Sequence, residues 1–225
     1  MKFEVKWQRL IGESLVIIAS ILIAFAIDAS WDKYQENLTE TAYLQNLLVE
    51  MREARDELRG DDERRRALLQ VIESLQKESE SRSVSDTTVM EWVNGLMRDP
   101  AFFPPGAVFQ DLLNAGNLQV IKSDELRFAL IAYSQERPRL RFVEEKSRVL
   151  TDDRIQPYVS ERISLTRPET EDLSALLSSQ YFGNLLVEKQ NRQESILFWS
   201  ARLEKSLERI INILEHDRRV VQVDH

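Results

Sequence analysis

The stretch Ser14–Ile27, SLVIIASILIAFAI, holds no charged residue and decides how the rest of the chain is read. A helix needs about 20 residues to cross the hydrocarbon core of a bilayer. The flanks supply the difference, with Leu10, Ile11 and Gly12 before Glu13, and Ala29, Ser30 and Trp31 after Asp28. Both acids then fall near the ends of the span, where headgroups and water are in reach. Trp7 and Trp31 stand 24 positions apart, roughly 36 Å along a helix, which suits two interfacial aromatic anchors.

Lys2, Lys6 and Arg9 precede the apolar run, and only Lys33 follows it at similar distance. The positive-inside rule therefore predicts a cytoplasmic N-terminus in the cell (inner) membrane and an extracytoplasmic remainder. The expected organisation is a cytoplasmic stub (1–9), a transmembrane helix (10–31), an extracytoplasmic helical domain (32–217) and a polar tail (218–225). A cleavable leader ending at Ala26 is the competing reading, since Ala24-Phe25-Ala26 has the small-x-small form of a cleavage site. Glu4 and Glu13 argue against it, as does the helical pattern that continues through Asp28 to Tyr34. Glu13, Ser20, Ala24 and Asp28 share one face of the membrane helix, and Ser20 with Ala24 forms a small-xxx-small pair. That face is either a seam for a second helix or the ordinary result of small residues and interfacial acids.

Beyond the membrane segment the composition favours helix. The chain has 225 residues with 6 Gly and 6 Pro, and its Lys and Arg (30) are outnumbered by Asp and Glu (38). A net charge of −8 gives no footprint for nucleic acid, and the absence of cysteine removes disulfides and thiolate chemistry. Leu44, Leu47, Met51, Ala54 and Leu58 follow heptad spacing, as do Leu68, Ile72 and Leu75. Asp61 and Arg65 are polar where the seam should be apolar, beside Gly60. Either the stalk helix breaks at Gly60, or it runs on to about Glu78 with Asp61-Asp62-Glu63 as a solvated patch. The second is preferred.

Ser79–Asp86 is polar and Ser-rich and predicts a loop, followed by a short helix from Thr87 to about Met97 capped by Ser85 or Asp86. Pro100, Pro104 and Pro105 bracket Phe102 and Phe103, both expected to plug the edge of a core from an irregular connection. A helix around Phe109, Leu112 and Leu113 can end at Gly116 in the left-handed conformation. Ser123 caps the next, whose stripe of Leu126, Leu130 and Tyr133 ends or kinks at Pro138. A further helical pattern spans about Arg139–Ser164, interrupted near Pro157, with a turn around Pro168. One last long helix is expected over 172–217, with Ile196, Trp199, Leu203, Leu207, Ile210 and Leu214 on one face. The fold class is thus all-α: a single N-terminal transmembrane helix continuing into a long stalk, with an antiparallel helical bundle.

Two blocks resemble a family of uncharacterised bacterial single-pass membrane proteins, a domain of unknown function common in Bacteroidetes-type genomes. The first is Leu22-Ile23-Ala24-Phe25, Ile27 and Trp31-Asp32. The second is Phe109, Asp111-Leu112, Gly116-Asn117-Leu118, Ile121, Leu126-Arg127 and Tyr133, and the closing long helix fits as well. The chain departs from that family at Ala107 or Val108, where a Ser or Thr is usual, and at Ala19 and Ser20, where a Gly is. The resemblance implies topology and carries no activity.

No constellation of catalytic, cofactor-binding or metal-ligating residues stands out, so no enzyme and no cofactor are expected. Glu215, His216 and Asp217 are consecutive on a helix and point in different directions, which denies them a common metal. Arg127 is the one charge in an apolar neighbourhood. It would recognise an anionic group, or else form a structural salt bridge or cap the Gly116 turn. The expected function is a membrane-anchored helical scaffold that packs with itself or with a membrane partner. The alternative is a ligand-sensing bundle that signals through such a partner.

Overall fold

The computed structural model describes residues 7–81, 83–114, 116–163 and 173–217, with side chains of the first helix from Glu13 onward. Residues 1–6, the Trp7 side chain, the expected turn at Pro168 and the expected polar tail lie outside them. The described residues are helical with no strand, so the all-α class holds.

Helix α1 (Trp7–Ser81) is a single element of 75 residues, about 110 Å long at the usual rise. It has no proline, and Gly60 does not break it. A mid-helix glycine costs only about 1 kcal/mol relative to alanine, while its neighbours are tied down on both sides. Residues 13–36 are all exposed. From Glu40 onward one face is buried, and its apolar positions are the heptad residues Leu44, Leu47, Met51, Ala54, Leu58, Leu68, Ile72 and Leu75.

Helix α2 (Asp86–Leu96) begins at Ser85, whose hydroxyl accepts from Thr88 N. A linker leads to α3 (Ala107–Asn114), after which Gly116 (φ 72°) takes the left-handed turn into a 3-10 turn at Asn117–Val120. Helix α4 (Asp124–Leu150) is capped by Ser123 through Leu126 N at 3.2 Å. It does not end at Pro138, whose ring lies on the exposed side, where the carbonyl it leaves unbonded can meet water. A π turn, Thr151–Ile155, widens the helix just before α5 (Gln156–Ser160), where Pro157 has no N–H to give.

The single closing helix expected over 172–217 is two elements: α6 (Ser174–Leu177) and α7 (Gln180–Glu215). Ser179 separates them because its hydroxyl accepts from Phe182 N and caps α7. Serine favours this local bond over an interior helical position.

Helices α1, α4 and α7 form the bundle. Arg52 pairs with Glu215 at 2.7 Å, and Arg59 with Glu204 and Glu208 at 2.5 and 2.6 Å, so α7 runs antiparallel to α1. Arg209–Glu125 and Arg202–Glu136 set α7 antiparallel to α4 in the same way. Two apolar clusters fill the interior. The lower joins Leu44–Leu58 of α1 with Phe109, Leu130, Tyr133 and the α7 residues from Ile196 to Leu214. The upper joins Leu68, Ile72 and Leu75 with α2, α5, α6 and the start of α7.

The irregular segments between α1 and α2 and between α2 and α4 have few backbone partners of their own, and glutamates supply them. Glu50 accepts from Val108 N and Phe109 N at 2.8 and 2.9 Å, which satisfies the open end of α3. Glu57 takes Phe103 N, Glu40 takes Lys122 N, and Glu78 takes Val84 N after α1 ends. Of the two phenylalanines expected at the core edge, only Phe102 is buried. Phe103 is 79% exposed, because its amide is turned toward Glu57 on α1 and its ring therefore faces outward.

Candidate functional site: a buried polar layer and the cleft beside it

Between the two apolar clusters lies a layer of charge. Asp61 and Arg65 are each 1% exposed and Lys189 0%, which corrects the expectation of a solvated patch after Gly60. Of the acidic triplet only Glu63 faces solvent. The reason is tertiary. The α1 seam at this height faces Glu144 of α4 and Gln193 of α7, so a polar residue there meets partners instead of hydrocarbon.

Asp99, from the linker after α2, is the hub. It receives Lys189 Nζ at 2.5 Å, Ser147 Oγ at 2.8 Å, Thr151 Oγ1 at 2.5 Å and Gln193 Nε2 at 3.3 Å. Burial would raise its carboxyl, but the Lys189 charge and bond, with the two hydroxyls, outweigh it and hold Asp99 below the ordinary range. Burial also pulls the Lys189 ammonium below its ordinary value, and Asp99 restores part of that. Asp99 gains from four donors, whereas Lys189 is buried beside the Arg65 charge and recovers only part of the loss from Asp99 and Asp152, which is why both groups move down. Thr151 opens the π turn, which places its hydroxyl between Lys189 and Asp99.

Arg65 sits between two carboxylates, Glu144 and Asp61, the latter at 3.4 Å. Burial pushes the Glu144 carboxyl up to about 7. Arg65 and the Phe102 amide pull it down, and the charges of Asp61 and Asp62 add to the push. One guanidinium shared between two acids in a dry layer does not offset the burial of Glu144, which keeps its proton to near neutrality although it lies closer to Arg65 than Asp61 does. Asp62 is also raised, chiefly by burial, and its Oδ1 has no partner among the described residues.

The layer forms one side of a cleft of about 830 Å³ between α4 and the linker and α3. Asp99, Glu144, Glu145, Arg148 and Asp152 line its polar end, and Arg137, Arg141, Phe102, Phe103, Phe109 and Leu113 are among those lining the rest. Among the described residues no group of three or more acids or histidines could hold a metal ion.

Arg127 is not part of this cleft. Its guanidinium donates to the Ile121 carbonyl and to Asp124, which braces the turn between Gly116 and α4. Ser20, Ala24 and Asp28 are exposed on the membrane-length part of α1 together with Glu13, and the Ser20 hydroxyl turns back to the Val16 carbonyl at 2.8 Å. Trp31 packs beside Tyr34, ring centroids 5.9 Å apart. His216 closes the end of α7, its ring 2.7 Å from the Asn212 carbonyl.

Sequence reasoning misses the residues of the buried layer, although a signal exists. The buried stripe of α7 runs through Phe182, Leu185, Leu186, Lys189, Gln193, Ile196, Ser200 and Leu203 at steps of three and four, so Lys189 and Gln193 stand in core positions. Asp61 and Arg65 interrupt α1 in the same manner, and Ser147 of α4 and Thr151 of the π turn interrupt the third stripe. Three interruptions that align at one height, in α7 and in the two helices antiparallel to it, are the signature of a polar layer. Comparison of the chain with protein-family models, with curated proteins and with solved structures gives no match.

Proposed function

We propose that this chain is a membrane-anchored interaction protein, in which α1 both spans the cell membrane and forms the spine of an extracytoplasmic bundle. The observation that carries the reading is the continuity of α1. One helix near the N-terminus is long and apolar enough to cross a membrane, and none of its apolar window is buried against the rest of the chain. Leu15, Val16, Leu22, Ile23 and Phe25 each stand at 60% exposure or more, an arrangement that water would not tolerate over such a length. The face bearing Glu13, Ser20, Ala24 and Asp28 is the surface offered to a second copy or to a membrane partner. The reading involves no catalytic step.

Because the chain lacks cysteine, single cysteines at Ser20 and at Leu22 give a clean crosslinking test in native membranes. Ser20→Cys is expected to crosslink to itself or to one partner, and Leu22→Cys, about 200° away on the helix, is not. Equal or absent crosslinking at both positions, or release of the chain by alkaline carbonate, refutes the reading.

One observation favours a second reading, that of a sensor. Two residues that line the cleft are bonded to α1, since Glu57 accepts from Phe103 N and Arg65 holds Glu144. A ligand there would bear on the same helix that reaches the membrane.

A further inference from the structure

We infer that the cleft between α4 and the α2–α3 linker binds a small organic anion with an apolar body, its acid group taken by Arg137 and Arg141. The inference concerns the soluble bundle and holds whether the chain is a scaffold or a sensor.

The charges lining the cleft are matched except at one place. Asp99 is held by Lys189, and Glu144 by Arg65. Glu145 and Asp152 are both held by Arg148, at 2.6 and 2.5 Å. Arg137 and Arg141 make no hydrogen bond or ion pair among the described residues, although the Arg141 charge also helps hold the Glu145 carboxyl low. Arg141 is exposed, but Arg137 is half-buried, with its guanidinium 5.7 Å from the ring centres of both Phe109 and Tyr133. A partly buried guanidinium that sits over an aromatic pair on one side keeps its in-plane N–H donors for a planar acceptor. Arg137 and Arg141 are four residues apart on α4 and so stand one turn apart on the same face.

The rest of the cleft is apolar. Phe102, Phe103, Pro104, Leu113 and Leu140 line it, and the exposed Phe103 ring stands at its edge. A volume of about 830 Å³ falls within the usual range for a small-molecule site, about 300–1,000 Å³. A carboxylate, sulfonate or phosphate carrying an aromatic or branched body meets both halves. A fatty or phospholipid headgroup of the host bilayer does not reach it. Glu57, at the height of the cleft, lies 26 residues beyond Trp31, roughly 40 Å along α1.

The test is calorimetric titration of the full chain in lipid nanodiscs, with empty nanodiscs as reference. The titrants are 2-naphthylacetate, the neutral 2-naphthylethanol and the cationic 2-naphthylethylamine. The acid is expected to saturate one site with a Kd of about 0.1–1 mM, as a ligand of that size allows. The alcohol and amine should bind at least about tenfold more weakly, the equivalent of one charge-assisted hydrogen bond. Arg141→Gln, an exposed position that leaves the fold alone, should weaken the acid by about tenfold. Arg137→Lys, which keeps the charge over the rings and loses the fork, should weaken it less. Arg139→Gln, outside the cleft, should change nothing. No saturable binding of the acid, equal binding of the alcohol, or an Arg141→Gln variant that binds as the wild type overturns the inference.

Discussion

Replacing Glu144 by Gln separates burial from ion pairing as the force that governs the polar layer. The glutamine keeps an acceptor for Phe102 N and for Arg65, and Asp61 remains to neutralise the guanidinium, so the variant should fold. Glu144 in the folded chain has its carboxyl raised from 4.5 to about 7, with burial the largest cause. A carboxyl whose folded pKa lies above its unfolded value stabilises the fold fully below the unfolded pKa. That contribution is lost as pH rises through the folded one. Each unit of difference is worth about 1.4 kcal/mol, so the wild type should lose about 2–3 kcal/mol relative to the variant between pH 5 and pH 8. Titrations of groups remote from Glu144 are common to both chains and cancel in the difference, and the Arg65, Asp61 and Asp62 charges around it are the part that does not. Denaturant unfolding of the bundle, followed by circular dichroism in nanodiscs at several pH values, measures it. A wild-type-minus-variant stability that stays flat across this window, or rises with pH, would show that Arg65 keeps Glu144 ionised throughout and that burial is the lesser force.

Two further substitutions probe the scaffold around that layer. Lys189→Met leaves Asp99 buried beside an apolar chain and should cost about 3–5 kcal/mol; adding Asp99→Asn should recover most of it, and a double variant no more stable than the single one would contradict the pairing. Glu50→Ala strips the acceptor from two amides at the start of α3, with an expected loss of about 1–2 kcal/mol and faster hydrogen exchange at Val108 and Phe109. Unchanged exchange there would mean that α3 is held by packing alone.

Much of the architecture is written in local chemistry and is legible for that reason. Ser85 and Ser123 cap helices because a serine hydroxyl accepts from an amide two or three residues on. Gly116 takes the left-handed turn because it has no Cβ. The heptad of α1 and the buried face of α7 come from period alone. The illegible part depends on partners far along the chain. Nothing near Arg65 in sequence announces Gln193, which lies 128 residues away. The periodicity that marks a seam cannot say whether a polar residue in it is solvated or met. The same holds for Phe102 and Phe103, adjacent and identical in chemistry, whose amides go to different helices, Phe102 N to Glu144 on α4 and Phe103 N to Glu57 on α1. Ser179 is misread from sequence because a serine inside a long helical pattern counts as tolerated until its hydroxyl is seen to cap α7.

The length of α1 also makes it a ruler. Fifty residues separate Trp31 from Ser81, and at the helical rise that is roughly 75 Å with neither a proline nor a break to act as a joint. A rod of this kind transmits tilt and twist from one end to the other and cannot fold back on its base. On the proposed membrane-anchored reading, its far tip, where α1 gives way to the loop before α2, stands at a set altitude above the bilayer. Anything that engages it must be tall enough to meet it there.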